Sequence, residues 1–191
     1  MKKEQFCSAS QHLNDIIAKK NILKEICTIK KGEHLKSVMA QIGNYPFKSV
    51  KVNKQLQTGQ LWLLTGRNGD TVEALNAGQS LDIKSEIEYD VEVMYGVLSG
   101  KKVSCPYRKL KGEYKELTFF EVDIDEYLAE VFGNIKRAEG DDNIVNMMFD
   151  ISKEYLAEAA VANYTGAKHW SFFNSGMDKR AYYRILDTEQ E

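Results

Sequence analysis

The order of the hydrophobic periodicities along this chain restricts its possible folds more than any other feature. Apolar residues recur at helical spacing over 8–43, with a period of two over much of 47–122, and at helical spacing again over 124–188. Because strands and helices do not alternate along the chain, the pattern predicts an α+β fold rather than a sheet built from β-α-β crossovers. We therefore expect an antiparallel sheet flanked by N-terminal and C-terminal helices.

The elements predicted before residue 80 are mainly helices and short strands. They are helices at 8–30 and 35–43, strands near 47–64 (as two runs, 47–52 and 60–64), and a short helix at 70–77. The last of these is predicted because Asp70 and Glu73 form the D-x-x-E pattern that is typical of a helix start.

The strongest strand pattern covers 83–98. Turn residues follow it, so that 103–108 is expected to pair back antiparallel, and a second turn leads into 114–122. The sequence therefore predicts a three-stranded meander near 83–122. Helical spacing then predicts helices at about 124–132, 141–163 and 177–188.

Length and composition predict one compact domain spanning 1–191. A chain of this size buries about 70% of its unfolded surface, which is enough for a core without disulfides or bound metal. The three cysteines, Cys7, Cys27 and Cys105, lack zinc-ribbon spacing. Neither a signal peptide nor a membrane-spanning run is visible, so we expect a cytoplasmic protein that does not associate with membranes.

Charge is divided unevenly along the chain. Residues 1–69 contain 12 Lys and Arg against 4 Asp and Glu, a net charge of +8, whereas 70–191 contain 14 against 24, a net charge of −10. Such asymmetry indicates a charged partner, or two charged surfaces that bind different partners. The alternative is that the two halves pack together and neutralise each other.

An acidic row within the predicted strand at 83–98 is the main candidate site. It consists of Glu86, Glu88, Asp90 and Glu92. The alternating residues, expected to face the core, are Ile87, Tyr89, Val91 and Val93. Side chains two apart on a strand are about 6.6 Å apart, and successive phosphates of a nucleic-acid strand are separated by roughly 6–7 Å. The row is thus predicted to bind the nucleic-acid-binding surface of a partner. The alternatives are a solvated face paired with Lys101, Lys102 and Arg108, and a metal site.

Two basic segments are further candidates for partner or nucleic-acid contact. The first is the lysine-rich face of the predicted helix 8–30, with Lys19, Lys20 and Lys24. The second is 166–186, where cations and aromatic residues interleave, including His169, Trp170, Arg180 and Arg184. Aromatic rings beside cations are how proteins hold single-stranded nucleic acid. The alternative is that the aromatic residues of this segment fill the core.

One enzymatic interpretation remains open. Asp70, Asp82 and Lys84 loosely match the pattern of metal-dependent nucleases, in which two carboxylates hold Mg²⁺ and a lysine helps to activate water. Asp82 is expected on a strand in this interpretation, close to Asp70. A pattern this short also arises by chance in a chain with 28% charged residues.

The sequence as a whole predicts a non-enzymatic binding protein without cofactor or metal. Its partner is expected to be a protein that handles nucleic acid, and this chain would occlude that partner's binding surface. Phage and mobile-element inhibitors of the anti-restriction and anti-CRISPR type work in this way, and the parallel is one of type rather than of motif. The alternatives are the Mg²⁺-dependent nuclease and a protein that binds nucleic acid directly.

Overall fold

The structure is a computed structural model that describes residues 8–47, 60–98, 114–133 and 143–170. Within these ranges the side chains at 96–98, 143–152 and 169–170 are not described. In chain order the elements are α1 (Ala9–Ile17), β1 (Leu23–Lys30), α2 (Leu35–Asn44), β2 (Gln60–Asn68), β3 (Thr71–Ser80), α3 (Ile83–Leu98), β4 (Glu116–Val122), α4 (Ile124–Phe132), α5 (Asn143–Tyr164) and β5 (His169–Trp170).

The strands form one sheet in the order β1-β4-β2-β3-β5. The first four are antiparallel, and β5 adds a two-residue parallel pairing with β3. Helices cover both faces: α1, α4 and α5 pack on one, and α2 and α3 on the other. The predicted α+β class, with an antiparallel sheet flanked by helices, is confirmed.

The central strand β2 shows why the sheet needs helices on both sides. Leu61 and Leu63 belong to the core under α1, α4 and α5, whereas Trp62 and Leu64 belong to the core under α2 and α3. A strand that is buried on both faces is apolar at successive positions instead of alternating with polar residues. The run Leu61–Leu64 is of this kind.

Five predicted elements are confirmed within a few residues: α2, the strand at 60–64, the strand at 114–122, α4 and α5. Three predictions are wrong. The helix predicted over 8–30 ends at Ile17, and 23–30 is the strand β1; the helix at 70–77 is the strand β3; and the strand at 83–98 is the helix α3. The strand at 103–108, the helix at 177–188 and all but Phe47 of the strand at 47–52 lie outside the described residues.

The hairpin between β2 and β3 explains why 71–80 is a strand. Asn68 pairs with Thr71, so the loop between them contains only Gly69 and Asp70. Gly69 has φ +63, the positive value that a type II′ turn requires at its first central residue. Glycine adopts this conformation without strain, and the tight turn sends the chain back along β2 instead of into a helix.

Candidate functional site

The helix α3 begins immediately after Asp82, whose carboxylate caps it. Asp82 accepts hydrogen bonds from the Ser85 hydroxyl at 2.7 Å and from the Ser85 backbone N–H at 3.1 Å. These two bonds hold the pKa of Asp82 below its ordinary value. A side-chain oxygen that satisfies a free N–H of the first turn stabilises a helix start. Asp82 is therefore a capping residue rather than part of a strand.

A buried stripe fixes which side of α3 faces the protein. Ile83, Ile87, Val91 and Met94 are all buried in the core beneath α2 and α3. Their spacing of four, four and three residues is that of one helix face. Residues two apart on a helix are rotated by about 200°, so they cannot share a face as they would on a strand.

The acidic row is consequently divided between two sides of α3, which corrects the predicted single face of carboxylates. Glu86 accepts a hydrogen bond from the indole N–H of the buried Trp62 at 3.2 Å, so its carboxylate pairs with a core side chain. Glu88 is 3.9 Å from the ammonium of Lys84, one turn earlier. Asp90 is half-buried on the side of Glu86, and Glu92 is exposed on the side of Glu88.

Tyr89 lies on the opposite side of the protein surface from its predicted position. It was expected in the core, but it is 67% exposed, because position 89 lies opposite the buried stripe. On the solvent side of the helix its neighbours are Ser85, four residues earlier, and Glu92, three residues later, whereas Glu88 lies about 100° further around the helix. The helical spacing of the buried stripe was the signal that predicts this exposure. We call Glu88, Tyr89 and Glu92 the α3 surface.

The helix α3 is strongly negative. The helix carries four carboxylates and one lysine, a net charge of −3. No hydrogen bond or ion pair joins Glu92 to another residue in the described part of the chain. A concentrated negative potential around an exposed aromatic ring is suited to a basic partner.

The lysine-rich part of the predicted helix 8–30 is not helical, and two of its lysines pair within the protein. Lys19 lies in the turn after α1, 2.6 Å from Glu130 of α4. Lys24 lies on β1, 3.6 Å from Asp123. Lys20 is exposed in the turn between α1 and β1. The three lysines therefore do not share one helix face, and two of them contribute to holding α4 beside α1 and β1.

The C-terminal candidates are only partly described. His169 and Trp170 form β5, with their backbones in register with Asn76 and Ala77 of β3. Arg180 and Arg184 lie outside the described residues. The interpretation of 166–186 as a nucleic-acid or partner contact stays a prediction.

The residues of the nuclease interpretation are not brought together. Asp70 lies in the β2–β3 turn, whereas Asp82 and Lys84 follow the other end of β3. Ten residues of strand span about 33 Å, far beyond the reach of two carboxylates on one Mg²⁺. Among the described residues, no group of three or more His, Cys, Asp or Glu side chains is arranged to hold a metal ion.

A cluster of Glu73, Tyr114 and Lys168 was not anticipated, because its members are far apart in sequence. The Tyr114 hydroxyl donates to Glu73 at 2.6 Å, and the Lys168 ammonium donates to Glu73 at 2.9 Å and to Tyr114 at 2.7 Å. The bonds from Tyr114 and Lys168 lower the pKa of Glu73. Burial alone would lower the pKa of Lys168, but its bonds with Tyr114 and Glu73 outweigh burial and raise it. The cluster joins β3, the segment before β4 and the segment after α5.

His12 forms a second polar contact inside the helical layer. Its Nε2 is 3.1 Å from the hydroxyl of Tyr127, which is fully buried. Burial lowers the pKa of His12, and the positive charge of Lys19 adds to this effect. The negative charges of Asp15 and Glu130 act in the other direction but do not outweigh burial. The folded protein therefore binds a proton at His12 less readily than the unfolded chain does.

This difference makes the stability depend on pH. Neutral His12 makes its full contribution to the free energy of unfolding above pH 6.5, the approximate pKa of histidine in the unfolded chain. This contribution is lost progressively as the pH falls below that value. We expect the melting temperature of the wild-type protein to fall more between pH 7.5 and pH 5.5 than that of His12→Gln. Equal decreases in the two proteins would contradict this assignment, since all other titrating groups are common to both.

No helix in the described ranges has a stretch long and apolar enough to cross a membrane. Comparison of the chain with protein-family models, with curated proteins and with solved structures finds no match. Any functional interpretation therefore depends on the geometry of the described residues.

Proposed function

We propose that this chain is a cytoplasmic, non-enzymatic binding protein that occludes the nucleic-acid-binding surface of a protein partner, in the manner of anti-restriction and anti-CRISPR inhibitors. The observation that carries the proposal is the exposure of Tyr89 beside Glu92 on a helix of net charge −3. An exposed aromatic residue of this size is a common anchor of protein–protein interfaces.

The α3 surface resembles a short piece of single-stranded nucleic acid in its chemistry. Glu88 and Glu92 are one turn apart, which corresponds to a rise of about 6 Å along the helix, close to the roughly 6–7 Å between successive phosphates. The planar ring of Tyr89 lies between them in sequence and offers the flat face that a base would offer. A groove with cations and aromatic platforms for nucleic acid would accept both features.

The intramolecular contacts elsewhere support the choice of α3 over α4. The acidic residues at the start and end of α4 are engaged within the protein, as the Lys19–Glu130 and Lys153–Asp125 contacts, both at 2.6 Å, illustrate. Carboxylates that are already paired have less charge to offer a partner. On the α3 surface Glu92 is exposed and, within the residues that the structure describes, Glu88 has only the longer contact with Lys84, at 3.9 Å, so this surface retains more of its negative potential.

The test begins with capture of partners on the wild-type protein from a nuclease-treated extract of its native cytoplasm. The affinity of the captured, purified partner is then measured for the wild type and three variants. Tyr89→Ala is expected to weaken binding by about 30-fold, the loss of roughly 2 kcal/mol typical of an interface anchor. Glu92→Lys is also expected to weaken binding, and to do so more at low salt than at high salt.

Asp70→Lys is the matched control, because it makes the same charge change at an exposed turn at the far end of β3. It should bind as the wild type does, and all three variants should keep the wild-type melting temperature. A single-stranded oligonucleotide should displace the chain from its partner. Equal binding by Glu92→Lys and Asp70→Lys, or simultaneous binding of oligonucleotide and chain, would argue against the proposal.

A further inference from the structure

The outer edge of β1 is the subject of an inference that is independent of the proposed function. Among the described strands, β1 is paired on one side only, with β4. An unpaired strand edge offers a row of backbone N–H and C=O groups on which another chain can pair. The segment Ile26–Ile29 is rich in β-branched residues, which favour such pairing.

The side chain of Gln41, on α2, occupies this edge in the way that a strand would. Its Oε1 accepts a hydrogen bond from the Thr28 backbone N–H at 2.9 Å, and its Nε2 donates to the Thr28 carbonyl at 3.3 Å. Two residues of adjacent antiparallel strands exchange this same pair of bonds. The primary amide can do so because it carries the donor and the acceptor of a peptide group.

The Glu33 side chain occupies one more backbone group on the outer edge of β1. Its Oε2 accepts from the Lys30 backbone N–H at 3.1 Å, and its Oε1 accepts from Gln41 Nε2 at 3.2 Å. The Tyr95 hydroxyl of α3 donates to the Glu33 carbonyl at 3.0 Å and holds this loop in place. Nearer the start of the strand, a bulge between Glu25 and Cys27 interrupts the register.

Packing of α2 keeps Gln41 at this position. Its neighbour Ile42 and Val38 are fully buried in the core beneath α2 and α3. The helix therefore cannot withdraw from β1 without exposing apolar side chains, which makes the Gln41 amide a fixed part of the sheet.

We propose that Gln41 and Glu33 act as a surrogate strand that closes the edge of β1 against pairing with a second copy of this chain. The bonds to Thr28 and Lys30 occupy the backbone groups that a second β1 would use. A negative charge at Glu33 also faces the approaching strand, which is a common means of blocking edge-to-edge association.

Gln41→Leu tests the proposal, because leucine keeps the bulk and helix preference of the side chain but removes its donor and acceptor. Gln11→Leu is the matched control, since Gln11 is exposed on α1 and its side chain contacts Asp15, away from the β1 edge. By sedimentation equilibrium, the wild type and Gln11→Leu should have the same mass, and Gln41→Leu should approach twice that mass as concentration rises. Exchange of the Thr28 amide hydrogen should become about tenfold faster in Gln41→Leu at low concentration.

A second variant locates the association. Lys30 is exposed and its N–H donates to Glu33 on the outer edge, so Lys30→Pro gives up that one bond and blocks strand pairing there. The double variant Gln41→Leu/Lys30→Pro should return to the wild-type mass. Association that persists in the double variant, or wild-type mass of Gln41→Leu at every concentration, overturns the proposal. So does rapid exchange of the Thr28 amide in the wild type, a measurement that does not require any variant to fold.

Discussion

Replacement of Phe119 by alanine is expected to lower the free energy of unfolding by about 3–5 kcal/mol. Phe119 lies on β4 at the centre of the sheet, is fully buried, and packs its ring 5.7 Å from the ring of Trp62. Truncation removes apolar contacts and leaves a cavity that β2 and β4 cannot close, because both strands are paired on both sides. For a chain of this length the melting temperature should fall by about 6–20 °C.

Phe132→Ala is the matched control for this loss. Phe132 is the last residue of α4 and is 46% exposed, so truncation creates little cavity and should cost less than about 1 kcal/mol. Urea unfolding of the two variants measures both values. Similar losses in the two proteins would mean that the sheet is not packed beneath α2 and α3 as described.

Gly66→Ala is expected to destabilise the protein by about 1–2 kcal/mol, although alanine is usually better than glycine within a strand. A Cβ at position 66 would be 2.6–2.8 Å from three ring atoms of Tyr114. The ring cannot retreat freely, since its hydroxyl is held by Glu73 and Lys168. A shift of the ring away from the Cβ therefore disturbs the hydrogen bonds among Glu73, Tyr114 and Lys168.

Gly43→Ala and Tyr114→Ala make this expectation specific. Gly43 lies on α2 with open space around its Cα, so Gly43→Ala should stabilise by up to about 1 kcal/mol. In a Tyr114→Ala background, Gly66→Ala should lose its cost, which a double-mutant cycle measures by urea unfolding. An equal cost in both backgrounds would show that contact with Tyr114 is not its source.

The helix α3 shows how a local pattern can support two structures. From Glu86 to Val93 acidic and apolar residues alternate, as on a half-buried strand, but the buried stripe from Ile83 to Met94 has helical spacing over a longer range. The Asp82 cap and the helix preference of glutamate favour the helix, and α2 and β2 bury its stripe. The stripe from Ile83 to Met94 spans twelve residues, against the usual five or six of a strand, and its length was the better guide.

The strand β1 could not be separated from a helix by its own sequence. Leu23 and Ile26 continue the spacing of α1, so the local pattern extends the helix, yet the chain turns after Ile17 and pairs with β4. The partner residues of β1 lie about ninety positions later, and such pairing is a property of the whole fold. The same holds for β3, where the two-residue turn at Gly69 outweighs the helix-start pattern of Asp70 and Glu73.

The sequence by itself determined the α+β class, the helices α2, α4 and α5, and the strands at 60–64 and 114–122. The helices have a clear helical period, and the two strands are short apolar runs bounded by turn residues. Only the tertiary structure decided which charges face solvent. Lys19 and Lys24 pair with Glu130 and Asp123. Glu86 bonds to Trp62, and Tyr89 is exposed to solvent. Which charged and aromatic side chains reach solvent follows from where the apolar stripes are buried, and the helix or strand geometry of the element decides that.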